Sequence, residues 1–165
     1  MTHKSAYYWI ELLGMHKHPE GGYYKETYRS GDIISDLPGR YGGEKRNFST
    51  CIYFLLEGND FSSFHRLKSD EIWHFYDGSP LILYIIDETG ELHKHRIGND
   101  PSTGAYPQFV IPKNVWFAAE VEEKSEYTLF GCTVSPGFDF LDFELANQDE
   151  LYAKYSYPEV KRLTR

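Results

Sequence analysis

Cysteine is scarce in this chain: two in 165 residues, Cys51 and Cys132, each inside a strand-like apolar run. Neither has metal-ligand spacing, and no disulfide framework can be built from them. Both read as buried reduced thiols of a cytosolic protein. Basic residues are few as well. Seventeen Lys and Arg stand against 25 Asp and Glu, for a net charge of −8, and no basic run exceeds Lys45-Arg46. Nucleic-acid affinity comes largely from cations on phosphates, so that class is disfavoured. Long apolar runs are missing too. Cys51 to Leu56 and Leu81 to Ile86 are the longest, far short of the ~20 residues a membrane helix needs. The N-terminus lacks the apolar core of a secretion signal, since Glu11 interrupts its aromatic segment. No G-x-S-x-G elbow and no phosphate-cradling glycine loop occurs, which leaves nucleophilic and nucleotide chemistry without a carrier. The expected setting is the cytoplasm, with no membrane and no nucleic acid.

Aromatic residues, by contrast, are abundant: 17% of the chain, with 14 Tyr, 11 Phe and 3 Trp. Flat rings pack well across pleated, half-buried surfaces. Residues 5–14 predict one short helix, with Ala6, Trp9, Ile10 and Leu13 on one face and Gly14 as the stop. A Pro- and Gly-containing loop follows, then a strand over 23–30. Residues 31–46 carry four Gly and Pro38 and predict a long, mobile loop. Thereafter strands recur about every ten residues, over 48–57, 61–67, 71–76, 81–87, 91–97, 108–111, 115–121 and 127–134. Short strands at that spacing mean a sandwich or barrel, and an antiparallel jelly roll fits the length. Asn147 to Leu151 predicts a capped helix that Pro158 ends. No linker or repeat divides the chain, so 1–165 reads as a single domain with its barrel core at about 23–145.

The chemistry concentrates between His65 and Gly78. Side chains alternate along a strand, which puts Phe61, Ser63, His65 and Leu67 on one face. After a short turn, Glu71, Trp73 and Phe75 share a face of the next strand. A hairpin in that register brings His65 and Glu71 together, as a proton-transfer pair or as two ligands of a metal. Phe61, Ser63, Trp73, Phe75 and Gln108 are the expected ligand contacts around them. On the 23–29 strand, Tyr23, Lys25, Thr27 and Arg29 alternate against Tyr24, Glu26 and Tyr28. Either one of these faces lines the cavity, with Tyr23 and Lys25 as the expected ligand contacts, or the segment is an ordinary half-exposed strand. His74 has the parity of the outer face, and His16, His18, His93 and His95 read as solvated surface.

These residues resemble the cupin superfamily. Its first motif, H-x-H-x(3–4)-E-x(6)-G, aligns with His65, Leu67, Glu71 and Gly78. Its second, P-x-G-x(2)-H, aligns with Pro112 to Phe117. Leu67 and Phe117 stand where two of the usual metal histidines would be, with Ser63 and Gln108 as the nearby polar substitutes, so no metal and no cofactor is expected. The chain is also similar to one cupin branch, the cupin-5 type, whose domain is of unknown function. That likeness is carried by His18-Pro19-Glu20-Gly21-Gly22-Tyr23-Tyr24-Lys25-Glu26-Thr27, by residues 52–56 and 70–75, and by Val134-Ser135-Pro136-Gly137-Phe138-Asp139-Phe140. The resemblance implies an all-β, double-stranded β-helix barrel, a homodimer, and structural kinship with the dTDP-sugar 3,5-epimerases. Two functional readings stay open beside a third, a purely structural dimer. One is an isomerase or epimerase acting beside a carbonyl, with His65 as base, oriented by Glu71, and a Tyr or Lys25 steadying the enolate. The other is a non-catalytic small-molecule binding protein, which the apolar Leu67 and Phe117 favour.

Overall fold

The computed structural model describes residues 4–165; the reading of Met1 to His3 lies outside them. Helix α1 (Ala6–Leu13) is capped by the Ser5 hydroxyl, which accepts from the Tyr8 N–H, and ends at Gly14 in the left-handed region, φ +58°. The strands follow in order: β1 (His16–Lys17), β2 (Tyr23–Arg29), β3 (Ile33–Ile34), β4 (Arg46–Asn47), β5 (Thr50–Glu57), β6 (Phe61–Leu67) and β7 (Asp70–Gly78). Then come β8 (Leu81–Ile86), β9 (Leu92–Ile97), β10 (Ala105–Tyr106), β11 (Gln108–Ile111), β12 (Trp116–Val121), β13 (Tyr127–Ser135) and β14 (Phe143–Leu145). Helices α2 (Gln148–Lys154) and α3 (Pro158–Arg162) close the chain.

Two six-stranded sheets make the jelly roll, in the orders β1-β2-β5-β13-β7-β11 and β10-β9-β8-β12-β6-β14. Their inner faces bury Phe54, Leu56, Trp73, Leu83, Phe117 and Phe130 between them. The outer faces are covered unequally. On the first sheet, α1 packs Trp9, Ile10 and Leu13 onto Leu55, Tyr127 and Leu129. On the second, the C-terminal helices set Leu151, Val160 and Leu163 against Phe64, Tyr84, Ile86 and Ala118. Strand β8 is apolar on both faces because the tail covers its outer side. Pro158 does not end a helix there. It occupies the first turn of α3, where its missing N–H is not needed.

Residues 31–46 are not a free loop. Strand β3 pairs antiparallel with β4, and Tyr41 is buried with its hydroxyl 2.8 Å from Ser69 Oγ. Arg46 makes a two-pronged bond to Asp142, at 2.6 and 2.8 Å, with both side chains almost fully buried. Asp142 ends the 3-10 turn Phe140–Asp142, so this pair ties the early loop to the segment that later proves to be the cavity's mouth.

Two irregularities reset the alternation of inward and outward side chains. Between His65 and Ser62 on β6, three steps face two on β12, from Phe117 to Ala119. Such a bulge leaves Ser62 and His65 on the same side and swings Phe61 and Phe64 outward. A similar slip on β2, between Glu26 and Tyr28, has the same effect at its far end.

Candidate functional site

The site begins with the loop His18-Pro19-Glu20-Gly21-Gly22. Gly21 and Gly22 adopt φ +118° and +67°. A Cβ on Gly21 would lie 2.1 Å from the Phe61 carbonyl, and one on Gly22 2.6 Å from the Leu55 carbonyl. Only glycine lets the chain press this close to the wall. Asp60 accepts the Gly22 N–H at 3.0 Å. The Glu20 carbonyl accepts from the Ser63 N–H at 2.8 Å and from the Arg165 guanidinium. Held this way, the loop sends the Glu20 side chain into the barrel, where it is 8% exposed.

Glu20 is the hub. Its Oε1 accepts from the Ser62 hydroxyl at 2.7 Å. Its Oε2 lies 3.3 Å from His65 Nε2 and 3.3 Å from His18 Nδ1. His65 Nδ1 sits 2.7 Å from the Ser63 carbonyl, which can only accept. That bond places the ring proton on Nδ1 and leaves Nε2 as the basic nitrogen, aimed at Glu20. Burial pushes the His65 pKa down, and the Glu20 charge only partly restores it. For Glu20, burial works to raise the pKa, but His65, His18 and Ser62 together hold the carboxyl below its ordinary range. These shifts draw Glu20 toward its carboxylate form and His65 toward its neutral form, each against the pull of the other.

Glu71, on β7, faces the same cavity in the opposite state. Its Oε2 is buried without a hydrogen-bond partner. Burial pushes its pKa up to about 8, and the Glu20 charge adds to the rise, against opposing contributions from the Trp73 and Cys132 side chains. At neutral pH Glu71 is a carboxylic acid and Glu20 a carboxylate. Two carboxyl groups driven apart in this way are the signature of an acid and a base in one site.

The cavity measures about 280 Å³. His65, Leu67, Glu71 and Cys132 line its depth; Phe138, Asp139, Phe140 and Phe143 rim it. Of the expected residues, His65 and Glu71 both enter it. The carboxylate that contacts His65 is Glu20, however, and no bond joins His65 to Glu71. Trp73 and Phe75 face inward but belong to the hydrophobic core below the cavity. Phe61 points outward under the Arg165 guanidinium. The Ser63 hydroxyl bonds to the tail, at Leu163 and Arg165. Both displacements follow from the β6 bulge.

Tyr23 packs outside, against the α1 cluster, with Lys17 over its ring. Lys25 is exposed, and Gln108 is exposed and bonded to His74 Nδ1. It is the alternate set of β2, Tyr24 and Glu26, that lines the cavity, joined by Arg29 after the bulge. His16 is exposed as expected. His18 is not: its ring is buried among Tyr24, Phe54, Phe140 and Phe143. The readable signal for His18 and Glu20 was the double glycine behind a His-Pro-Glu triplet, which marks a loop laid against a wall.

A cupin metal does not fit this donor set. Leu67 and Phe117 are buried carbon at two of the four usual positions, and the Phe117 ring centroid is 4.0 Å from that of His65. Ser63 and Gln108, the nearby polar substitutes, point elsewhere. Among the described residues, the group whose donor atoms all lie within 4.8 Å of one another is Asp87, Glu91 and His93, on the β8–β9 hairpin outside the cavity. A site needs three or four converging ligands. Asn114, standing at the glycine of the second motif, does adopt φ +65°, so that turn keeps its shape without its histidine.

Residues 7–146 match the family model described as Cupin superfamily (DUF985). The chain belongs to the cupin superfamily. This cupin is 32% identical over 146 residues to the uncharacterized protein YML079W of Saccharomyces cerevisiae, covering 82% of this chain and 72% of the yeast protein. It is similar in structure to a hypothetical protein from Leishmania major, with TM-score 0.88, 33% identity, and coverage of 98% and 99%. Protein SO0799 from Shewanella oneidensis superposes with TM-score 0.86 at 38% identity, covering 99% of each chain. The double-stranded barrel of this cupin is therefore a family property. Among the described residues, no helix is long and apolar enough to cross a membrane.

Proposed function

We propose that this cupin is a metal-independent isomerase or epimerase that moves a proton beside a carbonyl of a small metabolite bound inside the barrel. The observation that carries this reading is one cavity holding a buried Glu71 carboxyl, whose Oε2 has no hydrogen-bond partner, opposite a Glu20–His65 pair. His65 Nε2 takes the proton from the carbon next to the carbonyl. The imidazolium so formed is stabilised by the Glu20 carboxylate 3.3 Å away. Glu71 gives its proton to the carbonyl oxygen, so the intermediate is a neutral enol. The imidazolium then returns its proton to the neighbouring carbon while Glu71 takes back the proton of the hydroxyl there, which yields the isomer. Each group holds the protonation state its step requires.

The test is isotope exchange. In deuterated water, a panel of small hydroxy-ketones, amino-ketones, keto-sugars and amino-sugars should include members that take up deuterium at the carbon beside the carbonyl. His65→Ala should cut the rate by about 10² to 10⁴, the usual contribution of a positioned general base. Exchange that is equal in the variant, or absent across the panel, would remove the catalytic reading. The second reading, a binding protein without catalysis, rests on Leu67 and Phe117, which make the floor apolar. A ligand that co-purifies with wild type and His65→Ala alike supports it.

The reading includes one domain spanning the chain, a cytoplasmic setting supported by two free thiols, and a homodimer. The surface for the second copy is the part of the first sheet that α1 leaves bare. There Tyr28, Tyr76 and Val110 are exposed around half-buried Tyr53 and Ile72. Light scattering should give twice the monomer mass; a monomer at micromolar concentration would end the dimer proposal.

A further inference from the structure

The charged groups at the mouth decide what can enter. Glu26, Arg29 and Asp139 line it together. Arg29 is the cation of this group, and it is already occupied. Its Nε and Nη2 bond to the two Glu26 oxygens at 3.0 and 2.7 Å. Its Nη1 donates to Asn47 Oδ1 at 2.9 Å and to the Phe138 carbonyl at 3.1 Å. Four of the five guanidinium N–H groups are thus committed. Asp139 uses one oxygen to accept the Leu141 N–H and adds its charge to that of Glu26 beside Arg29. The mouth therefore carries one negative charge in excess, and the Glu20 carboxylate adds a second at the base of the cavity.

The walls between these charges are rings. Tyr24, Phe54, Phe138, Phe140 and Phe143 line the space, and Phe138, Phe140 and Phe143 meet edge to face at 5.0 to 6.1 Å. Aromatic faces are electron-rich and attract a cation, above all one shielded from water. A carboxylate or phosphate entering here meets no free cation among the described lining residues and approaches the Asp139 and Glu20 carboxylates. An ammonium group meets ring faces and excess negative charge.

We infer that the cavity selects compact cationic ligands, an amine on a small ring or carbonyl skeleton, and rejects carboxylates and phosphates of the same size. This names the substrate class for the proton-transfer reading and rests on it: the substrate is an amino-ketone or amino-sugar type molecule rather than a sugar nucleotide. It also parts from the kinship with dTDP-sugar epimerases, since this mouth offers no unoccupied cation for a diphosphate.

Calorimetric titration of the intact protein at pH 7 with three matched probes tests it: phenethylamine, 2-phenylethanol and phenylacetate. The amine should bind about tenfold more tightly than the alcohol, the size expected of a desolvated cation–π contact, and phenylacetate should show no binding. Asp139→Asn keeps the oxygen that accepts the Leu141 N–H and should reduce the amine's advantage several-fold. Glu26→Gln frees Arg29 and should bring phenylacetate binding into range. Phenylacetate binding as tightly as the amine to wild type overturns the inference, as does no binding by any probe. An amine preference untouched by both substitutions also overturns it, because the charges would not be its source. Neither variant alters His65 or Glu71, so the isotope exchange test stands or falls separately.

Discussion

Glu71→Gln is expected to make the protein less sensitive to alkali, with a gain in relative stability that grows to about 4 kcal/mol at pH 8. The ordinary pKa of this carboxyl is 4.5, and in the folded protein it is about 8. Below 4.5 the acid is protonated whether the chain is folded or not, and the group does not affect the balance. Between 4.5 and 8 the unfolded chain releases the proton and the folded one retains it, so rising pH favours unfolding. The slope is about 1.4 kcal/mol per pH unit. Glutamine removes this loss because it has no proton to release. Urea unfolding of both proteins from pH 4 to 8 gives the measurement: the difference should be constant near pH 4 and widen steadily above it. Parallel curves across the range would mean that Glu71 ionises normally. Glu20 acts in the opposite direction. Its folded pKa is lowered, so its contribution is present above the ordinary carboxyl pKa and fades as acid protonates it.

Arg46→Met should cost about 3–5 kcal/mol, the range for breaking a buried ion pair from one side. Methionine matches the length of the arginine stem but leaves the Asp142 carboxylate buried with Lys68 Nζ, at 3.3 Å, as its remaining cation. The ammonium is partly exposed and cannot reproduce the two-pronged bond. The damage should reach the cavity as well. Asp142 closes the turn that carries Phe140 and precedes Phe143, so the rim loses its anchor. Urea midpoints at pH 7 measure the first effect. A loss under 1 kcal/mol would show the pair to be screened like a surface bridge.

The barrel was legible because its strands are short, regular and separated by Gly-, Asn- and Asp-rich turns, and the two cupin motifs lie along β6, β7 and the turn before β12. His65 and Glu71 followed from their parity on those strands. What escaped the pattern has local causes. Strict alternation carried Phe61 and Ser63 to the face of His65, and a bulge three residues long undid that. The same assumption chose Tyr23 and Lys25 over Tyr24 and Glu26, since alternation alone does not say which face of β2 is inner. Glu20 and His18 lie in a loop without periodicity, and what turns them inward is contact with β5 and β6. Arg46 and Asp142 are 96 residues apart, a pairing that no local pattern carries.

The central claim is that two carboxyl groups in one cavity hold opposite protonation states at neutral pH. Carbon-13 NMR of side-chain-labelled glutamates, assigned with Glu71→Gln and Glu20→Gln, observes each group directly through a pH titration. The account predicts that the Glu71 carboxyl carbon moves with a midpoint near 8 while that of Glu20 moves with a midpoint below the ordinary 4.5. A Glu71 midpoint near 4.5, or two carboxyls titrating together, would contradict it.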